Sequence, residues 1–171
     1  MALNPIFIIG YHPTDDGSGL KAYIKKYWHD HWGIDLTMTA YDDPARFALI
    51  PPMGAVPLLI GHSHGGAECV NIAKGLNRSC KVLLIDPVPF PNPQPNFPGF
   101  DLPFNVSAAW CTWRTTHDGK PITKDFSGPI KSASCPYTNI HYVPKPATED
   151  AEHGERVWSA DTGAQAKLMM Q

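Results

Sequence analysis

The chain has 171 residues, the length of one domain, and with 43% hydrophobic and 11% aromatic residues it carries enough apolar material to exclude a disordered chain. Its 14 Lys and Arg against 16 Asp and Glu leave a formal charge of −2, which excludes the broad basic face of a general nucleic-acid binder. No apolar run reaches the ~20 residues that cross a bilayer, Met1–Pro5 has no basic leader, and the 4 cysteines are scattered, so a cytoplasmic, reducing setting is the expectation.

The first element is the apolar run Ile6–Gly10, which reads as a strand buried on both faces. A helix follows, because Leu20, Tyr23, Ile24, Tyr27 and Trp28 recur at i, i+3, i+4, i+7 and i+8. Ser18 is its expected N-cap and Gly33 its stop. Leu36–Tyr41 alternates as a half-buried strand, and Val56–Ile60 is again continuously apolar. A second helix after Ser63 puts Cys69, Ile72 and Leu76 on one face, backed by Val70 and Ala73. Val82–Ile85 is a third buried strand, and Val106–Thr116 and Thr138–Val143 are strands of weaker pattern. Between them, Pro87–Pro103 is too rich in proline for helix or central strand and reads as an extended surface loop. No helical pattern is visible beyond Ile85. Strand, helix, strand, helix, strand in succession predicts an α/β class: a mostly parallel central sheet of about six strands with flanking helices, in one domain over residues 1–171.

Gly61-His62-Ser63-His64-Gly65-Gly66 directly follows one apolar run and directly precedes the second helix. This is the G-x-S-x-G pattern in the strand-to-helix context that gives it meaning. A strand that turns at once into a helix brings backbone segments into close approach, so the positions two before and two after the serine must be small. The serine hydroxyl then stands at a helix N-terminus, where backbone amides and the helix dipole favour developing negative charge.

On these residues the chain resembles a small, lidless member of the α/β-hydrolase fold, of the esterase, lipase and thioesterase kind. The nucleophile elbow of that family matches Gly61–Gly65, its opening strand and oxyanion loop match Ile6–Tyr11, the Asp-Pro-Val of many small members matches Asp86-Pro87-Val88, and its late histidine matches His153. The chain departs from fuller members in lacking two first strands, a lid domain and late helices. The resemblance implies a serine esterase with a Ser-His-Asp triad, no cofactor and no metal, acting on a small-molecule or polymer-borne ester, with neither nucleic acid nor a membrane span involved.

Ser63 is the expected nucleophile. Among the histidines, His62 and His64 adjoin it and point apart from it, His29 and His31 end the first helix, His12 lies in the oxyanion loop, and His117 and His141 belong to strands. His153, in the loop after the last strand, is the expected base. Asp86 is the preferred acid, because parallel neighbouring strands end on one edge and an Asp-Pro at a buried strand end needs partners. Asp118 ends the next strand, the commoner place in larger relatives, and stays the alternative. The oxyanion hole is expected from the backbone amides of Tyr11 and His64. An open cleft is expected beside Tyr11, His12 and the Pro87–Pro103 loop, with Phe90, Phe97 and Phe100 as candidate lining.

Two other readings stand beside this one. His29-Asp30-His31 and His62-Ser63-His64 are H-x-H pairs, which a metal hydrolase could use if a third ligand were added. Alternatively, the fold serves as a non-catalytic binding module. A phosphate loop at Asp16-Gly17-Ser18-Gly19 matches no nucleotide-binding fingerprint.

Overall fold

The computed structural model describes residues 4–10, 18–50, 54–89, 97–114, 127–143 and 154–171. Its centre is a six-stranded sheet in the order β2-β1-β3-β4-β6-β8. The strands are β1 (Ile6–Ile9), β2 (Thr37–Ala40), β3 (Leu58–His62), β4 (Cys80–Ile85), β6 (Val106–Arg114) and β8 (Tyr137–Tyr142). All five neighbouring pairs are parallel, with Ile8 opposite Gly61 and His62 opposite Ile85 at the end that matters most. An all-parallel sheet needs cover on both faces, and the residues supply it. Ile6, Ile8, Leu59, Val82 and Leu84 pack under helix α2 (His64–Gly75). Phe7, Ile9, Ile60, Leu83 and Ile85 pack on the other face with Ile24 and Trp28 of helix α1 (Ser18–Trp32). The six predicted strands and both predicted helices are present, so the α/β class with a mostly parallel six-stranded sheet stands.

Local chemistry ends these elements where the residues dictate. Gly33 takes φ 64 after α1 and its amide donates back to His29 at 2.9 Å, closing the helix as expected of a left-handed stop. Among the described residues no helix is long and apolar enough to cross a membrane.

Three expectations are corrected. The chain does return to helix after Ile85: α3 (Ala160–Met170) packs beside α1. Its buried residues are Thr162, Gly163, Ala166 and Met169, of which Met169 alone is a large apolar side chain, so the hydrophobic signal is small. Gly163 is pressed against the Trp32 indole, leaving no room for a Cβ. The second correction concerns the proline-rich stretch, whose described flanks reach into the core: Val88 is fully buried, and Phe100 and Leu102 are nearly so, while Pro98 and Asp101 are exposed. Phe100–Asp101 (β5) pairs with Ile130–Lys131 (β7) as a separate parallel ladder. Third, β3 starts and ends two residues later than its apolar run suggests, because Val56 is exposed and Pro57 cannot donate to a ladder.

Helix α3 is capped by Ser159, whose Oγ accepts from the Thr162 amide at 3.3 Å. Ser159→Ala is expected to lower unfolding stability by about 1 kcal/mol, read as a shift in a urea midpoint at unchanged slope.

Candidate active site

The sheet order reverses at β1: the chain adds β2 on one side of it, then crosses back to add β3 and β4 on the other. The carboxyl ends of strands at such a switch point border a crevice, the usual ligand position in open α/β sheets. Ser63 stands there, immediately after β3. Its backbone has φ 57 and ψ −129, a region open to glycine and strained for any other residue. It occupies the N-cap position of α2, yet its hydroxyl makes no cap bond. The strain therefore does not serve helix capping, which removes the plain reading of a capping serine.

The glycines around it are required by contact. A Cβ at Gly61 would run into the Gly65 carbonyl, one at Gly65 into the Ile8 carbonyl, and one at Gly66 would lie 2.5 Å from Pro87 Cβ. At the end of β1, a Cβ on Gly10 would lie 2.7 Å from Ser63 Cβ and 3.0 Å from the His64 amide nitrogen. The end of the first strand and the start of α2 thus converge on the serine. Two further bonds fix the bend: the Ser63 amide donates to Ile85 O at 3.1 Å, and the Ser63 carbonyl accepts from Val88 N at 3.0 Å.

Those two bonds bracket Asp86, so the expected neighbour of the elbow is where the parallel sheet puts it. Asp86 has φ 48, and among the described residues it and Ser63 are the two non-glycine residues at positive φ. Both strained residues share one edge of the sheet, next to each other. The Asp86 carboxylate is fully buried and forms an ion pair with Arg114 Nε at 2.9 Å, with both side chains at most 1% exposed. Tyr142 donates its hydroxyl to the same oxygen, Oδ2, at 2.9 Å. Arg114 ends β6 and Tyr142 ends β8, so three successive parallel strands deliver one residue each to the cluster. Burial pushes the Tyr142 hydroxyl far above the ordinary phenol range, and the adjacent Asp86 charge adds to this.

No known protein family, curated protein or solved structure matches the chain.

The remaining expectations divide by place. His153, Tyr11, His12, Asp118, His117 and Phe90 lie outside the described residues. His64 begins α2 with its ring tilted against Tyr41, centroids 5.6 Å apart. His29 meets Asp35 at 2.9 Å and His31 stacks on Tyr27, so the first H-x-H pair is engaged at the exposed end of α1. His141 packs its ring against Trp113. Among the described residues no three His, Cys, Asp or Glu side chains converge as a metal-ligand set. All four cysteines are free. Burial pushes Cys80 up to about 11 and raises Cys69 and Cys111 well above the ordinary thiol value. Phe97 and Phe100 meet edge to face at 4.6 Å and help line a cleft of about 290 Å³ that runs along α2 from Ala67 to Lys74.

Arg114 and Tyr142 were not candidates from sequence. The available signal was an arginine closing the otherwise uncharged strand VSAAWCTWR, since a charge in a buried strand needs a buried partner.

Proposed function

We propose that this protein is a serine hydrolase of carboxylic esters, thioesters included, built on a reduced α/β-hydrolase fold. The observation that carries the reading is Ser63, a non-glycine residue held at φ 57 and ψ −129 between a buried strand and a helix. Strain of this kind, typically ~1–3 kcal/mol, persists where the surroundings over-determine it and is concentrated at active sites. The bend presents a hydroxyl at the N-terminus of α2 with the end of β1 beside it.

In this reading Ser63 Oγ attacks the acyl carbon as His153 takes its proton. The carbonyl π electrons move to oxygen, which the amides of Tyr11 and His64 receive. Collapse of that tetrahedral species breaks the bond to the leaving alcohol, which His153 protonates, and an acyl-Ser63 ester remains. Water attacks it with the same proton path reversed and frees the acid. Asp86 orients His153 and stabilises the imidazolium. Its support is its place beside the elbow, fastened there by Arg114 and Tyr142. His153 is three positions before Arg156, which lies over the Tyr142 ring at 3.8 Å. Four free thiols suit a cytoplasmic setting.

Labelling with a fluorophosphonate tests the assignment. The wild-type protein is expected to take up one equivalent and Ser63→Ala none. Equal labelling of both would overturn it. Asp86→Asn and Asp118→Asn, run in parallel, separate the two acids: the variant that labels at the wild-type rate is not the triad member.

A further inference from the structure

The Asp86 cluster reaches past the sheet. Tyr142 is the last residue of β8, with its hydroxyl on Asp86 Oδ2 and its ring beneath the Arg156 guanidinium at 3.8 Å. Arg156 opens a 3-10 turn, Arg156–Trp158, that is itself anchored. Trp28 Nε1 donates to Val157 O at 3.2 Å, Tyr27 donates to Trp158 O at 3.3 Å, and Val157 is buried. The chain thus leaves the Asp86 cluster at Tyr142 and rejoins it at Arg156, the second position after Gly154.

We propose that Tyr142 and Arg156 are positioning residues for the reaction above: Tyr142 fixes the Asp86 carboxylate, and Arg156 clasps the Tyr142 ring and so holds its hydroxyl on that carboxylate. The inference rests on the Ser63, His153 and Asp86 reading. Its physical content is one cation–π contact and one hydrogen bond to a buried carboxylate, arranged in series. Among the described residues, the groups that face Asp86 include Cys111 and Arg114 from β6, Tyr142 from β8 and, through the Tyr142 ring, Arg156 from the turn. Arg114 and Arg156 are cationic, and both oppose the field that Asp86 exerts on an imidazolium.

The test compares Arg156→Ala, Arg156→Lys and Tyr142→Phe with wild type in hydrolysis of a short-chain p-nitrophenyl ester across pH. Arg156→Ala is expected to lower kcat about 10- to 100-fold, the scale of a small misplacement of catalytic groups, with KM within about twofold. It should also move the acidic limb of the kcat/KM profile to higher pH, because a cation opposing Asp86 is gone. Arg156→Lys keeps a cation over the ring and should recover most of kcat. Tyr142→Phe keeps the ring under Arg156 and removes the donor to Asp86, so the same limb should move the same way with a smaller loss in kcat. Arg156→Ala with wild-type kcat, or with a loss equal at every pH, overturns the proposal. An unmoved limb in Tyr142→Phe overturns it as well. A wild-type protein that neither labels nor turns over ester removes the hydrolase reading and this inference together. A labelled, active wild type with indifferent variants removes this inference alone.

Discussion

Ser63→Ala and His153→Ala should each lower turnover of a short-chain ester by about 10⁴- to 10⁶-fold, and the double variant should be little worse than either single one. Nucleophile and base act as a unit, so removing the second after the first has little left to remove. The residue left at the bend decides what happens to stability. Alanine keeps the Cβ and so keeps the strain of φ 57, whereas glycine adopts that conformation without a steric penalty. Ser63→Gly should therefore be as inactive as Ser63→Ala and yet more stable than it, by up to ~1–3 kcal/mol less the entropy cost of glycine. Urea unfolding of the two inactive proteins reads the difference. A Ser63→Ala protein more stable than Ser63→Gly would mean that the bend stores no strain, and the observation carrying the functional reading would lose its force.

The sequence disclosed those parts of the molecule whose physics is local or uniform. Strands β1, β3 and β4 are buried on both faces over Ile6–Ile9, Leu58–Ile60 and Val82–Ile85, and each of these apolar runs needs no partner to be recognised. The elbow was legible because three glycines around one serine have no other economical explanation, and each proves to face backbone or a proline at contact distance. Asp86 was placed beside the elbow by the parallel order of strands alone. Helix α3 was not legible, since its buried face of Thr162, Gly163, Ala166 and Met169 carries one large apolar side chain and sets a glycine against the Trp32 indole in place of an apolar stripe. The β5–β7 ladder has two residues on each side and offers no period to detect. Arg114 and Tyr142 were silent for another reason. Their partner is at the end of a different strand, and nothing in the spacing of Asp86, Arg114 and Tyr142 along the chain encodes that three parallel strands end together.

That silent trio carries the second large effect. Arg114→Met should destabilise the fold by about 3–5 kcal/mol, the range for breaking a buried ion pair by removing one partner. Methionine roughly fills the volume of the arginine stem, so the loss comes mainly from the Asp86 carboxylate, fully buried and deprived of the Arg114 cation. Asp86→Asn in the same background removes the uncompensated charge. The Arg114→Met/Asp86→Asn double variant should then be more stable than the sum of the two single losses predicts, with a coupling of order 1–3 kcal/mol. Double-mutant cycles in urea at constant pH and salt measure this, and losses that add to within about 0.5 kcal/mol would mean that the two side chains do not share a buried field. Buried pairs of this kind are often replaceable by well-packed apolar residues at no cost in stability. An apolar pair at 86 and 114 that restores the wild-type midpoint while ester turnover stays lost would separate the two roles of the cluster. The charge on Asp86 would then be retained for the serine beside it and not for the fold.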